Sequence, residues 1–291
     1  MVKLREALQN ASVHHVALGH FNVSDLSGFH AVVKAGRKLN LPLMIGVSEG
    51  EREFIGVKEI AALVKIAREE QGAQVYLNAD HTHSLEKARE AAEAGFDEVI
   101  FDASHKPFEQ NVQETKQAVG ILKSIRPELM VEGEVGYIGS SSEIHESVPP
   151  ESLQLTTPEE AAQFVAETGV DVLAPAVGNM HGLLPSMVRG ETHKRLDIER
   201  IRQIKQATGT FLTLHGGSGT ADGDFVAGIQ AGLTIIHINT ELRVAWRRGL
   251  EESLQAHARD VTPYKILPGA ESAMEEVVAR RLALFNSNGR S

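Results

Sequence analysis

The 291-residue chain contains no cysteine. That absence excludes disulfides, thiolate metal sites and a cysteine nucleophile, and it suits a reducing cytosol. Aromatic residues make up 5% of the chain, too few for the interleaved platforms on which bases stack. Basic charge is also short: 29 Lys and Arg stand against 39 Asp and Glu, for a net charge of -10. A nucleic-acid surface needs a basic face and is excluded, whereas an anionic ligand at a locally positive site is not. No apolar run approaches the roughly 20 residues a spanning helix needs. The opening Met1-Val2-Lys3-Leu4-Arg5-Glu6 is charged, unlike a signal peptide. The expectation is a cytoplasmic protein with no membrane partner.

What the chain does have is a hydrophobic content of 42% with 23% charge, enough for a large core. Its most informative stretch runs from Gln74 to His83, where an apolar, strand-like segment ends in Ala79-Asp80-His81-Thr82-His83. A buried strand that closes on a carboxylate and two imidazoles carries chemistry at its tip. Other strand-like runs cover residues 14–23, 42–48, 97–104, 129–136, 170–177, 211–214 and 233–239, separated by amphipathic helical runs such as 26–38, 57–70 and 109–124. Ser84 stands where the helix after the third strand should be capped.

Eight strand and helix pairs predict one (β/α)8 TIM barrel domain over residues 1–291, with an extra C-terminal helix at residues 270–285. An open doubly wound sheet is the structural rival, but it wants a Gly-rich turn after its first strand. Here that turn reads Asn22-Val23-Ser24-Asp25. The long segments 139–157 and 183–195 are expected to act as lids or binding loops.

In such a barrel the carboxyl ends of the strands build the active face. The tips offer Asn22, Ser48, Asp80, His81, Asp102, Glu134, His181, His215 and Asn239. Three imidazoles with an open position make a catalytic zinc arrangement, so His81, His181 and His215 are expected to share one Zn2+. Asp102 and Glu134 suit either support of that ion or a second divalent or monovalent cation. Strand alternation puts Glu132 on the same side as Glu134 and leaves open which of them serves the site. His14, His15, His30, His145, His193 and His257 read as ordinary surface or core histidines. The turn His215-Gly216-Gly217-Ser218-Gly219, just before a helix, is where barrels commonly hold a phosphate.

Taken together these motifs resemble the class II, metal-dependent ketose-bisphosphate aldolases, the fructose- and tagatose-bisphosphate aldolase family, over nearly the whole chain. The resemblance implies that His81, His181 and His215 hold the catalytic metal and that Asp80 is the acid/base. It implies secondary metal positions at Asp102 and Glu134, phosphate-binding glycines at Gly182, Gly216 and Gly217 with Ser218, and substrate contacts at Ser48, His237, Asn239 and Thr240. The implied reaction makes or breaks a carbon-carbon bond in a ketose phosphate through a dihydroxyacetone-phosphate enediolate, as in glycolysis, within a homo-oligomer (dimer or tetramer). A Schiff-base route needs a desolvated lysine at a strand tip, and no tip carries one.

Three positions depart from the family pattern. Leu183-Leu184-Pro185-Ser186 replaces the usual Tyr and Lys after His-Gly, His237 replaces an Asn, and Ser142 stands where a loop Glu is usual, with Glu143 next to it. Arg189, Lys194 or a loop residue of a neighbouring subunit could compensate. These departures point to a substrate other than fructose 1,6-bisphosphate. They also keep open a non-catalytic paralogue that binds metal and sugar phosphate. His81-Thr82-His83 leaves a metal-dependent barrel hydrolase as a more distant alternative.

Overall fold

The computed structural model describes residues 2–139, 142–148 and 154–288. Eight parallel strands form a closed barrel: β1 (Leu18–Asn22), β2 (Leu43–Val47), β3 (Val75–Thr82), β4 (Glu98–Phe101), β5 (Met130–Val135), β6 (Val172–Pro175), β7 (Phe211–Leu214) and β8 (Leu233–Ile238). Each strand pairs with the next, and β8 returns to β1 with Leu18 opposite Ile235 and His20 opposite His237. The helices over the barrel are α2 (Leu26–Leu39), α3 (Glu49–Ile55), α4 (Val57–Glu69), α5 (Leu85–Ala94), α6 (Phe108–Ile125), α7 (Pro158–Thr168), α9 (Ile198–Thr208), α10 (Asp222–Ala231), α11 (Thr240–Ala256) and α12 (Pro263–Phe285). The structure adds α1 (Leu4–His14) before the first strand and the short α8 (Pro185–Val188) inside the segment 183–195.

Period-two alternation splits the interior in two. Phe21, Val47, Leu77, Val99, Val131, Leu173, Leu212 and Ile236 point outward and pack under the helices in one large cluster. Leu18, Met44, Tyr76, Met130, Val172 and Ile235 point inward at the amino-terminal end of the barrel. There they meet Leu4, Ala7, Leu8 and Ala11, the buried face of α1, so this helix plugs the bottom of the barrel with a second apolar core. The carboxyl-terminal mouth stays open for polar groups.

Several boundaries differ from the sequence expectation. The first strand starts at Leu18, because α1 runs to His14 and is closed by His15, its C-cap in the left-handed region at φ 51. The terminal helix begins at Pro263 instead of residue 270. Ser84 does cap α5, its hydroxyl accepting the Lys87 N–H at 3.3 Å. Of the expected long loop 139–157, residues 140, 141 and 149–153 lie outside the described residues.

Candidate metal centre and active site

At the tip of β3 the pairing with β4 shifts between Ala79 and Thr82, and His81 takes a positive φ of 38°. A non-glycine residue in that region is strained, and such strain gathers at functional sites. The bulge turns the imidazole over the mouth, where its Nδ1 lies 2.8 Å from Asp102 Oδ2. Asp102 is itself fixed by the Ser104 N–H at 2.9 Å and hydroxyl at 2.7 Å. His181 bonds through Nδ1 to the Gly139 carbonyl oxygen. Both rings therefore spend Nδ1 on an acceptor, which leaves Nε2 as the atom each can offer an ion, in His81 once its proton is given up, the way supported metal-ligating imidazoles are oriented.

His215 completes the set from the tip of β7. Its ring centre lies 4.8 Å from that of His81 and 6.1 Å from that of His181. The three residues each offer a ligand atom, all within 4.8 Å of one another. His215 is gripped on both sides, Nδ1 at 2.7 Å from Glu134 and Nε2 at 2.7 Å from Glu132. Glu132 and Glu134 thus both face the His215 ring. His81, Asp102 and Glu134 also offer three ligand atoms within the same mutual distance.

The charges follow from these contacts. Burial works against a charged His81, but Asp80 and the Asp102 hydrogen bond outweigh it and raise the imidazole to about 9. His215 is raised well above the ordinary histidine value, because its hydrogen bonds to Glu132 and Glu134 outweigh burial. Among the described residues His181 has no hydrogen-bonded carboxylate, and burial with two charged neighbours pushes it down to about 3. Three imidazoles of which one is neutral and two are held by carboxylates fit a divalent cation: the ion would replace the two protons, and the carboxylates would offset its charge.

Asp80 stands beside this centre, with one oxygen taking the Asn22 amide at 2.8 Å. The same amide nitrogen donates to Glu51 at 2.9 Å. Burial would raise the Asp80 carboxyl, yet the His81 charge and the approach of His237 hold it well below the usual range. His237 Nδ1 lies 3.5 Å from Asp80 Oδ1, and its ring stacks on His20 with centres 3.5 Å apart and planes 3° off parallel. Burial lowers both members of this stack, so they are neutral imidazoles. His20 fits only because β2 carries Gly46 at this level: a Cβ there would lie 1.9 Å from the ring. The polar layer continues below through Asn78, which bonds His20 at 3.1 Å and Glu98 at 2.7 Å.

The loop after β7 closes the other side. Gly216 has φ 57, and a Cβ on it would lie 2.2 Å from the Met180 carbonyl. Gly217 N–H donates to the His237 carbonyl at 3.1 Å. The Ser218 hydroxyl accepts N–H groups of Asn239 at 3.3 Å and Glu241 at 3.2 Å, fastening the loop to the start of α11. A recess of about 20 Å³ is lined by Asp80, His81, His181, Gly216, Ser218 and Thr240. It adjoins a cleft of about 300 Å³ lined by Ser48, Asp102, Ser142, Glu143, Asn239 and Arg243. Gly182 and His237 line the recess as well, whereas Gly217 supports it from behind.

Every residue expected to serve the site therefore lies at the carboxyl-terminal mouth. Sequence reasoning missed Glu51, which ties Asn22 to Arg243, and Arg52, which donates to the Val47 and Asp80 carbonyls. It also missed the His20 and Asn78 layer. The signal was present in the strand alternation, since His20 and Asn78 sit two residues before Asn22 and Asp80.

A closed eight-stranded barrel with three converging imidazoles, acidic partners and a Gly-rich loop at its mouth defines a metal-dependent barrel enzyme. The comparisons narrow this. Residues 2–290 match the family model for fructose-bisphosphate aldolase class-II. The chain is 33% identical to a probable fructose-bisphosphate aldolase of Bacillus subtilis (strain 168), covering 100% of this chain and 99% of the relative. Identity to a fructose-bisphosphate aldolase of Geobacillus stearothermophilus is 32% over the same shares. Among solved structures, the YdjI aldolase from Escherichia coli K12 superposes with a TM-score of 0.82 at 28% identity, covering 99% and 98% of the two chains. The chain belongs to the class II fructose-bisphosphate aldolase family and is a metal-dependent aldolase, a carbon-carbon lyase. Neither the hydrolase nor the non-catalytic alternative is favoured. Among the described residues no helix is long and apolar enough to cross a membrane.

Proposed function

We propose that this chain is a zinc aldolase that cleaves or forms a ketose phosphate, with His81, His181 and His215 as the metal ligands and Asp80 as the acid/base. The observation that carries the reading is the convergence of those three imidazoles beside one ionised, hydrogen-bonded carboxylate. Bound zinc would polarise the ketose carbonyl and offset the negative charge that builds up as the carbon-carbon bond breaks. In the cleavage direction Asp80 takes the proton of the hydroxyl that becomes the aldehyde. The bond between that carbon and its neighbour breaks, and its electron pair stays on the ketone-side fragment. A proton returned to that carbon gives dihydroxyacetone phosphate.

Asn22 keeps Asp80 aimed, and a carboxyl held well below the usual range is ionised at neutral pH and so able to accept a proton. Asp102 and Glu134 orient His81 and His215 and suit a second cation. Gly182, Gly216 and Ser218 hold the phosphate, with Gly217 bracing the turn from behind and Asn239 and Thr240 at the start of α11. Ser48 and His237 face the rest of the sugar. The relatives' names support fructose 1,6-bisphosphate as one substrate to test. Ser142, Leu184 and His237 support a different aldehyde partner, because His237 is stacked and fixed where an amide is usual. Family membership supports one functional domain in a cytoplasmic homo-oligomer.

The test is turnover of dihydroxyacetone phosphate with a panel of aldehydes by the zinc-loaded protein. The expected result is carbon-carbon bond formation with at least one aldehyde. His81→Ala is expected to lose both bound zinc and turnover; retention of either would defeat the assignment.

A further inference from the structure

The cation that the family places after His-Gly is missing here, yet the structure contains another one in the same loops. Lys194, on the segment before α9, is almost fully buried. Its ammonium donates to the carbonyls of Met180 at 2.7 Å, Gly182 at 2.7 Å and Gly216 at 3.0 Å. These three carbonyls bracket His181 and directly follow His215. Burial pulls this ammonium down to about 7, and three carbonyl acceptors against the two protons of a neutral amine favour the charged form.

The far sides of the same peptide planes are also held. The N–H of His181 donates to Ile138, that of Leu183 to Glu143 and that of Gly217 to His237. The main chain of Lys194 adds two more ties, its N–H to the Gly219 carbonyl at 2.9 Å and its carbonyl to the Ala221 N–H at 3.2 Å. Among the described residues no carboxylate forms an ion pair with Lys194, and the nearest acidic influence, Glu241, is engaged by Arg281. A buried charge without a counter-ion is costly to keep. An anion on the open side of the Gly216 to Ser218 turn would supply one.

We infer that Lys194 is a positioning residue for phosphate recognition: its ammonium locks the peptide planes around His181 and Gly216 and supplies, from behind the loop, the positive charge that a substrate phosphate meets. This rests on the reading of that loop as the phosphate side of the site. It distinguishes Lys194 from the exposed Arg189, which pairs with Glu191 on the surface.

The test uses the full zinc-loaded protein with Lys194→Met, which keeps the volume without the charge, and Lys194→Ala, which leaves the three carbonyls around a space for a small cation. Turnover is compared for dihydroxyacetone phosphate and unphosphorylated dihydroxyacetone. The expected result for Lys194→Met is a KM for the phosphorylated donor raised on the order of 100-fold, as for loss of one partner of a buried charge pair, with KM for the unphosphorylated donor within a few-fold of wild type. In Lys194→Ala, ammonium chloride is expected to restore part of the loss and tetramethylammonium chloride to restore none. Equal losses on both donors, or no response to ammonium in a folded Ala variant, would overturn the inference. Calorimetric titration with inorganic phosphate decides the point separately from turnover. Weaker phosphate binding by the folded variants supports the role even if the aldolase substrate proves different, and unchanged phosphate binding removes it.

Discussion

Loading the site with zinc should release protons in a number that the three histidines fix. His81 is held at about 9 in the metal-free protein, so at pH 7 it carries a proton that the ion must displace. Each pKa unit is worth about 1.4 kcal/mol, so this proton opposes metal binding by about 3 kcal/mol at pH 7. His215, raised in the same direction by Glu132 and Glu134, brings a second proton. His181, at about 3, brings none. The sign is that of raised groups: affinity falls as pH drops below the raised values, and the share that His81 contributes levels off once pH passes about 9. Binding should therefore release about two protons near pH 7 and gain about 100-fold in affinity per pH unit between pH 6 and 8. Calorimetry in two buffers of different ionisation enthalpy counts the protons directly. A release near zero, or affinity that does not change with pH, would show that the carboxylates do not hold His81 and His215 charged before the ion arrives.

Asp80→Asn should keep zinc, because Asp80 is not one of the three ligands, and should lower kcat by about a thousandfold as a lost proton-transfer group does; zinc content and steady-state rates together check this. Leu8→Ala, in the plug at the bottom of the barrel, should cost about 2–5 kcal/mol in denaturant unfolding. It should leave kcat of the folded fraction unchanged, since the plug and the mouth are opposite ends of the barrel. Gly46→Ala should destabilise the protein and depress activity, because the added methyl lies 1.9 Å from the His20 ring. Combining it with His20→Ala should return more stability than the two changes predict separately, and strictly additive losses would contradict the packing argument.

How much of this was legible in the sequence depends on how far apart the interacting residues are. The strands were readable because each is a short apolar run with a polar end, and in a barrel those ends share one face. That is why His81, His181 and His215 could be brought together before any geometry was known. The plug was harder to see. Leu4, Ala7, Leu8 and Ala11 have helical spacing, but two of the four are alanine, and the apolar run after His14 drew the first strand too early.

Lys194 shows where linear reading stops. Its neighbours in sequence, His193 and Arg195, are a pocket-lining histidine on the outside of the barrel and a largely exposed arginine paired with Asp224. Nothing in that run separates it from a solvated basic segment. What sets it apart is the set of acceptors, three backbone carbonyls from two other loops, and backbone carbonyls have no residue-type signature. The same holds for His215, whose two carboxylate partners lie on a strand more than eighty residues earlier. Side-chain identity at the strand tips thus exposes the chemistry of the site, while the charge balance that tunes it is set by contacts that only the closed barrel creates.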